Sequence, residues 1–184
     1  MKTDYLVSLK KGAMLQTSGL SKSNLYFVKS GLLRSYIIGK DGKEHIFDFA
    51  PEGFMISDYI KKGQKTILHI QAIERSVVGI VDRVNYELEL QLSDIVNKDN
   101  KYNYNQFLNR LSVMQERIVM LMSYTAVEKY EFFINKYPNL TERVSQKMIA
   151  SYLGITPESL CRTIKKNIKT IHYDHDRKIG RENV

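Results

Sequence analysis

ERVSQKMIASYLGITPESLCRTIKK, residues Glu142–Lys166, reads as two short helices joined by a tight turn. Met148, Ile149 and Leu153 fall on one face of the first helix. Gly154 suits the left-handed backbone such a turn wants, having no Cβ to clash. Thr156 is placed to cap a new helix, Pro157 takes its first position and Glu158 its first turn. Ile155, Leu160 and Ile164 give that helix an inner face. This spacing predicts a DNA-binding helix-turn-helix over 145–166, whose second helix enters the major groove. An ordinary αα-hairpin is the plainer alternative. The Ala150, Gly154, Ile155, Leu160 spacing and the run Arg162, Lys165, Lys166, Lys169, with no acidic residue among them, favour DNA.

The chain has 184 residues and a formal net charge of +8, enough for one good core or two small domains. A basic balance attracts polyanions without separating DNA from RNA or a membrane surface. The one cysteine, Cys161, excludes a disulfide framework, an iron–sulfur cluster and a cysteine-rich zinc site within the chain. No Gly-rich phosphate loop and no nucleophile-elbow sequence occurs, so an enzyme finds no support. His172 and His175, beside Asp174 and Asp176, have metal-ligand chemistry, but their polar setting reads as a solvated tail. Neither a metal site nor a cofactor is expected. His45 and His69 read as surface or satisfied core residues, and Tyr26, Tyr36 and Tyr59 as packing residues rather than a stacking platform for single strands. MKTDYLVSLKK lacks the apolar stretch of a signal peptide, and no run has the length of a membrane span, so a cytoplasmic location and no membrane partner are expected.

Upstream, residues 1–90 read as strands: Leu25–Val28, Leu32–Ile38, His45–Phe49, Ile67–Ile73 and Ser76–Val81 are short and rich in β-branched and aromatic residues. Asp41-Gly42 predicts a tight two-residue hairpin loop with positive φ angles, and Pro51-Glu52-Gly53 and Lys61-Lys62-Gly63 mark further turns. Such spacing suggests an antiparallel sandwich or roll. Asp82–Leu92 reads as a short helix. The polar stretch Asn97–Asn105 then leads into a long helix to about Tyr124. There Phe107, Leu111, Met114, Ile118 and Leu121 recur at steps of four and three, a coiled-coil-like seam with Leu108, Gln115 and Met122 beside it. A seam packs on its own domain or on a second copy; a two-fold dimer, with two reading helices for two half-sites, is the expectation. A further helix, Ala126–Tyr137, ends before Pro138.

Strand-rich half, long helix and terminal helix-turn-helix, in that order, resemble the Crp/Fnr (cyclic-nucleotide-receptor and fumarate–nitrate-type) family of bacterial transcription regulators. Leu25-Tyr26-Phe27-Val28-Lys29-Ser30-Gly31-Leu32-Leu33-Arg34 is similar to the family's third roll segment, Asp41-Gly42-Lys43-Glu44 to its hairpin, and Pro51-Glu52-Gly53-Phe54 to the turn before its ligand segment. Ile149 to Leu160 is similar to the helix-turn-helix of the Bacteroidetes-type branch. The resemblance implies an α+β fold. A sensor roll of cyclic-nucleotide-binding type over 1–96 is followed by a dimerisation helix over 97–124 and a helical DNA-binding domain over 125–184. It also implies a homodimer on double-stranded DNA, with RNA polymerase as a further partner, in which a signal in the roll reorients the two reading helices. It places Glu158 and Arg162 at base-reading positions, where Arg can bond both acceptors of a guanine and a carboxylate can accept from a cytosine amine. Ser145 and Lys147 then look like phosphate contacts, and Ser159 and Thr163 stand within reach of backbone or bases; Lys165 is expected to hold a phosphate, and Thr156 and Lys166 complete the expected DNA-binding set. The third reading position falls on Pro157, which has no donor, so the target sequence should differ.

The sensor half departs from cyclic-nucleotide binders, which carry Gly-Glu-x-Leu and then Arg-Ser or Arg-Thr. Here the first element reads Ile56-Ser57-Asp58-Tyr59 and the second Lys65-Thr66-Ile67-Leu68. Ser57, Asp58, Tyr59, Lys65 and Thr66 are therefore the candidate ligand residues, but none offers the forked donor a buried cyclic phosphate needs. Binding of cyclic AMP is not expected. The family's extra leading helix and its terminal β-hairpin wing find no counterpart; Asn167–Val184 should extend the last helix briefly and fray. The rival reading is a ligand-binding signalling module that acts on protein partners without reading DNA.

Overall fold

A computed structural model describes residues 5–58, 60–82 and 101–166, with the side chains of the long helix described from Leu111 onward. The chain divides into two compact units, Met1–Asn109 and Arg110–Val184.

The first unit contains ten strands among its described residues: β1 Tyr5–Leu9, β2 Met14–Gln16, β3 Gly19–Leu20, β4 Asn24–Ser30, β5 Leu33–Ile38, β6 Glu44–Ala50, β7 Met55–Ile56, β8 Lys65–Thr66, β9 His69–Ala72 and β10 Ser76–Asp82. They form two antiparallel four-stranded sheets, ordered β1-β10-β4-β7 and β2-β9-β5-β6, and the small ribbon β3-β8. Alternating residues face inward, and Tyr26, Val28, Leu33, Ala50, Ile56, Ile70, Ala72, Val78 and Ile80 make one buried cluster. Each large side chain so buried contributes about 1.5–3 kcal/mol, which explains why these short strands hold together. Burial pushes the Tyr26 hydroxyl above its ordinary pKa, and it donates to the Leu15 carbonyl at 3.4 Å.

The outer face of β5 is sealed as well. Arg34 and Tyr36 stand directly opposite Gln71 and His69 of β9. The Arg34 guanidinium donates twice to Gln71 Oε1, at 3.0 and 2.7 Å, and once to Glu44 at 2.7 Å. It also lies 4.3 Å from the centre of the Tyr36 ring, which stacks on His69. A buried cation is tolerated here because its donors are engaged and its flat face is covered.

All five expected strands form, within one or two residues at each end. The Asp41-Gly42 hairpin differs from expectation. Only Gly42 takes a positive φ, +74°, while the Gly42 N–H donates to the Gly39 carbonyl and Gly39 N–H pairs with Lys43. This is a three-residue loop closed by a left-handed glycine, the alternative hairpin geometry open to the same dipeptide. Asp82 ends β10 instead of opening a helix, and the rest of the helix expected to Leu92 lies outside the described residues.

The long helix α1, Lys101–Ser123, begins inside the polar stretch that was expected to precede it. Its C-terminal half belongs to the second unit, with α2 Ala126–Lys136, α3 Gln146–Leu153 and a helix α4 over 157–166. Thr125 opens α2 with a reciprocal capping box. Its hydroxyl accepts from the Glu128 N–H, and the Glu128 carboxylate accepts from the Thr125 N–H at 2.7 Å. Tyr137 closes α2 before Pro138, which disfavours helical backbone in the residue preceding it. Tyr152 meets Phe133 and Tyr137 edge-on, and those two rings are tilted on each other, at ring distances of 5.5–6.0 Å, to form this unit's aromatic centre.

Candidate nucleic-acid interface

The helix-turn-helix is built by local chemistry. Ser145 caps α3, its hydroxyl accepting from the Met148 N–H at 3.3 Å. Ile149, Ala150, Tyr152 and Leu153 turn inward. Gly154 ends the helix at φ +63°, ψ 35°, and Ile155 N–H reaches the Ala150 carbonyl at 3.0 Å while Gly154 N–H reaches Ser151 at 3.2 Å. Those two bonds satisfy carbonyls that would otherwise end the helix unpaired. Thr156 then caps α4, its hydroxyl accepting from the Ser159 N–H at 3.1 Å.

The second helix presents a divided surface. Leu160 and Thr163 are buried, Ile155, Ser159, Cys161 and Ile164 are half-buried, and Pro157, Glu158, Arg162, Lys165 and Lys166 are exposed. Pro157, Glu158, Cys161 and Arg162 line one shallow depression. Thr163 is thereby corrected. At 4% exposure it belongs to the inner face, three residues after Leu160, and does not reach outward to DNA. Glu158 is engaged already: a hydrogen bond from its own N–H, then one from the Thr156 hydroxyl, holds its carboxyl below the ordinary carboxylate range, with Arg162 adding a smaller lowering. Ser145 and Lys147 are exposed at the entry of α3.

The seam positions Leu111, Met114, Ile118 and Leu121 of α1 are exposed at 41, 45, 55 and 38% in the single chain. Met120, outside the seam pattern, is fully buried. The helix therefore packs on its own unit through Met120 and in part through Leu121, and leaves most of the seam exposed. The side chains of Phe107 and Leu108 lie outside the described set.

In the roll, the candidate ligand residues are turned to the protein itself. Ser57 donates to the Asn24 carbonyl at 2.9 Å, and Thr66 accepts from the Leu68 N–H at 3.2 Å. The Asp58 carboxylate, 4% exposed, accepts from Gln16 Nε2 at 3.0 Å and from the Ile60 N–H at 3.1 Å. Lys65 is exposed, and Tyr59 lies outside the described residues. Gln16 carried no signal in the sequence, being a lone amide in an otherwise apolar strand. It lines a cleft of about 190 Å³ with Met14, Leu15, Thr17, Leu20 and Lys22. Among the described residues no group of three or more His, Cys, Asp or Glu side chains could hold a metal ion, and no helix is long and apolar enough to cross a membrane.

No protein-family model matches the chain. Among curated proteins, the fumarate and nitrate reduction regulatory protein of Vibrio cholerae is 28% identical over 170 residues, covering 85% of this chain and 66% of that protein. That span takes in both units. The chain's likeness is to regulators of the Crp/Fnr type. Another relative, the regulatory protein HlyX of Actinobacillus pleuropneumoniae, is 24% identical over 173 residues, 85% of this chain and 68% of its own length. The chain thus spans about two thirds of the Crp/Fnr regulators it matches. Among solved structures, FixK2 from Bradyrhizobium japonicum superposes with a TM-score of 0.75 at 21% identity, over 90% of this chain and 85% of that one. A Crp/Fnr-family transcriptional regulator from Thermus thermophilus gives 0.61 at 16% identity, over 90 and 87%. These neighbours share the fold, and the Crp/Fnr relatives are regulatory proteins, not enzymes.

Proposed function

We propose that this Crp/Fnr-type protein acts in the cytoplasm as a homodimeric transcription regulator that binds double-stranded DNA. The observation that carries the reading is the exposed face of α4, where Glu158, Arg162 and Lys165 recur at helical spacing beside Pro157, over a buried inner face. Arg162 would bond the two acceptors of a guanine, and Glu158 a cytosine amine once it releases its bond from Thr156. Ser145, Lys147, Lys165 and Lys166 would hold phosphates, whose contacts set register and orientation. Thr156 and Ser159, at the start of α4, would lie against the DNA backbone. The exposed stripe Leu111, Met114, Ile118, Leu121 supports pairing of two α1 helices, since apolar surface of that kind gains by being covered. RNA polymerase is the partner such a regulator meets at a promoter.

The first unit is the sensor. The polar groups of Ser57, Asp58 and Thr66 are bonded within the protein, and the cleft lined by Gln16, the partner of Asp58, has about 190 Å³, below the roughly 300–1,000 Å³ of ordinary ligand pockets. Both argue against cyclic AMP as the effector, and the reading calls for no resident cofactor. Selection from a random duplex library with the full chain tests the proposal. Two copies of one half-site, centred one helical turn apart (about 34 Å), are expected. No enrichment of any sequence, with binding that only falls as salt rises, would overturn sequence recognition.

A further inference from the structure

We infer that Arg117 is a positioning residue that sets the separation of the two reading helices; the inference rests on the dimeric DNA-binding reading above. Arg117 lies on α1, one residue before the seam position Ile118, and is half-buried. Its guanidinium lies 3.9 Å from the centre of the Tyr152 ring, and its Nη2 donates to the Tyr152 carbonyl at 3.3 Å. Tyr152 is fully buried in the last turn of α3, the helix that leads into the reading helix. A flat cation stacked on a ring while bonded to that residue's backbone restrains both distance and rotation, which an ammonium cannot do. It also meets the negative end of α3, where the last carbonyls point.

Two further contacts fix the same joint. The ammonium of Lys129, a buried side chain of α2, donates to the Leu121 carbonyl at 3.1 Å, close to the end of α1. Leu121 is itself a seam residue, and a Cβ placed on Gly154 would come within 3.2 Å of its Cδ2. The seam helix and the turn of the helix-turn-helix are therefore in contact. The end of α1 and α2–α4 form one compact unit, beginning at Arg110. A dimer paired along the seam then carries its reading helices at a separation determined by this joint, with Arg117 as the bond that crosses from α1 to α3.

Cys161 allows a direct measurement, since it is the one cysteine, half-exposed, and lies on the reading helix. Spin labels there report the distance between reading helices in the full-length dimer without DNA. The wild type should give one narrow distribution. Arg117→Ala should broaden it at least two-fold, and should let binding selection recover the same half-site at several spacings. Arg117→Lys keeps the cation and its bond but loses the stacked plane, so an intermediate width is expected. If Arg117→Ala does not fold, Arg117→Lys alone decides. A distribution as narrow as the wild type, or equal loss of binding at every spacing, overturns the inference. Absence of any distance between protomers overturns both the inference and the dimer. A narrow wild-type distance without sequence selection overturns only the DNA reading.

Discussion

The side-chain amide of Gln16 donates to the carboxylate of Asp58 at 3.0 Å, and both residues are buried in the roll. The amide's second donor reaches the Leu68 carbonyl at 3.4 Å, so its orientation is determined by acceptors on both sides. Among the described residues no cation forms an ion pair with Asp58. The position that the family resemblance aligns with a ligand-holding carboxylate is here tied to the protein's own strand β2.

The full chain should therefore show no heat of binding with cyclic AMP at micromolar concentration. Gln16→Leu, which removes the donor and leaves the carboxylate buried, should cost about 1–3 kcal/mol in urea unfolding. Calorimetry finding micromolar cyclic AMP affinity that Asp58→Ala abolishes would show that Asp58 leaves Gln16 to hold the nucleotide.

Changing Leu111 and Ile118 together to Asp places charges in the proposed apolar pairing surface, at 41 and 55% exposure in the single chain. Because both are exposed there, the fold of the protomer should survive while the dimer does not. Sedimentation should give a monomer with an unchanged circular dichroism spectrum. A wild type already monomeric at micromolar concentration contradicts the pairing.

Arg162 and Lys165 should separate on DNA. Arg162→Ala is expected to cost about 1–3 kcal/mol on the selected site and to relax preference at one base pair per half-site. Lys165→Ala should weaken specific and non-specific binding alike and make the salt slope shallower by about one unit. An unaltered base preference for Arg162→Ala in a binding selection removes α4 from the role of reading element.

Two glycines with similar backbones should respond differently to alanine. Gly31 has φ +88°, and a Cβ there would stand 2.3 Å from Ser76 Oγ and 2.5 Å from the Arg75 carbonyl. Gly42 has φ +74° with nothing within 4 Å of that position. Gly42→Ala should cost about 1 kcal/mol, the left-handed backbone penalty alone. Gly31→Ala must also move backbone, and should lower the melting temperature several times further in thermal unfolding. Equal melting temperatures would mean that the β4–β5 turn yields freely.

The helix-turn-helix was legible in the sequence because its determinants are local. The Ser145 and Thr156 caps, the left-handed Gly154 and the inward Ile149, Leu153 and Leu160 each act within a few residues of chain. Strands β4, β5, β6, β9 and β10 and the exposed seam were legible for the same reason, through side-chain period, whereas β1, five residues long, was not singled out. What only the tertiary structure decided lies between residues far apart in the chain. Gln16 and Asp58 meet across 42 positions, Arg34 and Gln71 across 37, and Arg117 and Tyr152 across 35. Thr163, polar and beside Arg162, read as outward until packing turned it inward with Leu160. The Asp41-Gly42 loop is compatible with two geometries, and the ladder between β5 and β6, with its irregularity at Ser35/Tyr36, accompanies the one adopted. Local propensity acts through neighbours in the chain. The partner of a buried polar group is set by which strands and helices come to lie against each other, and that depends on the burial of the whole core.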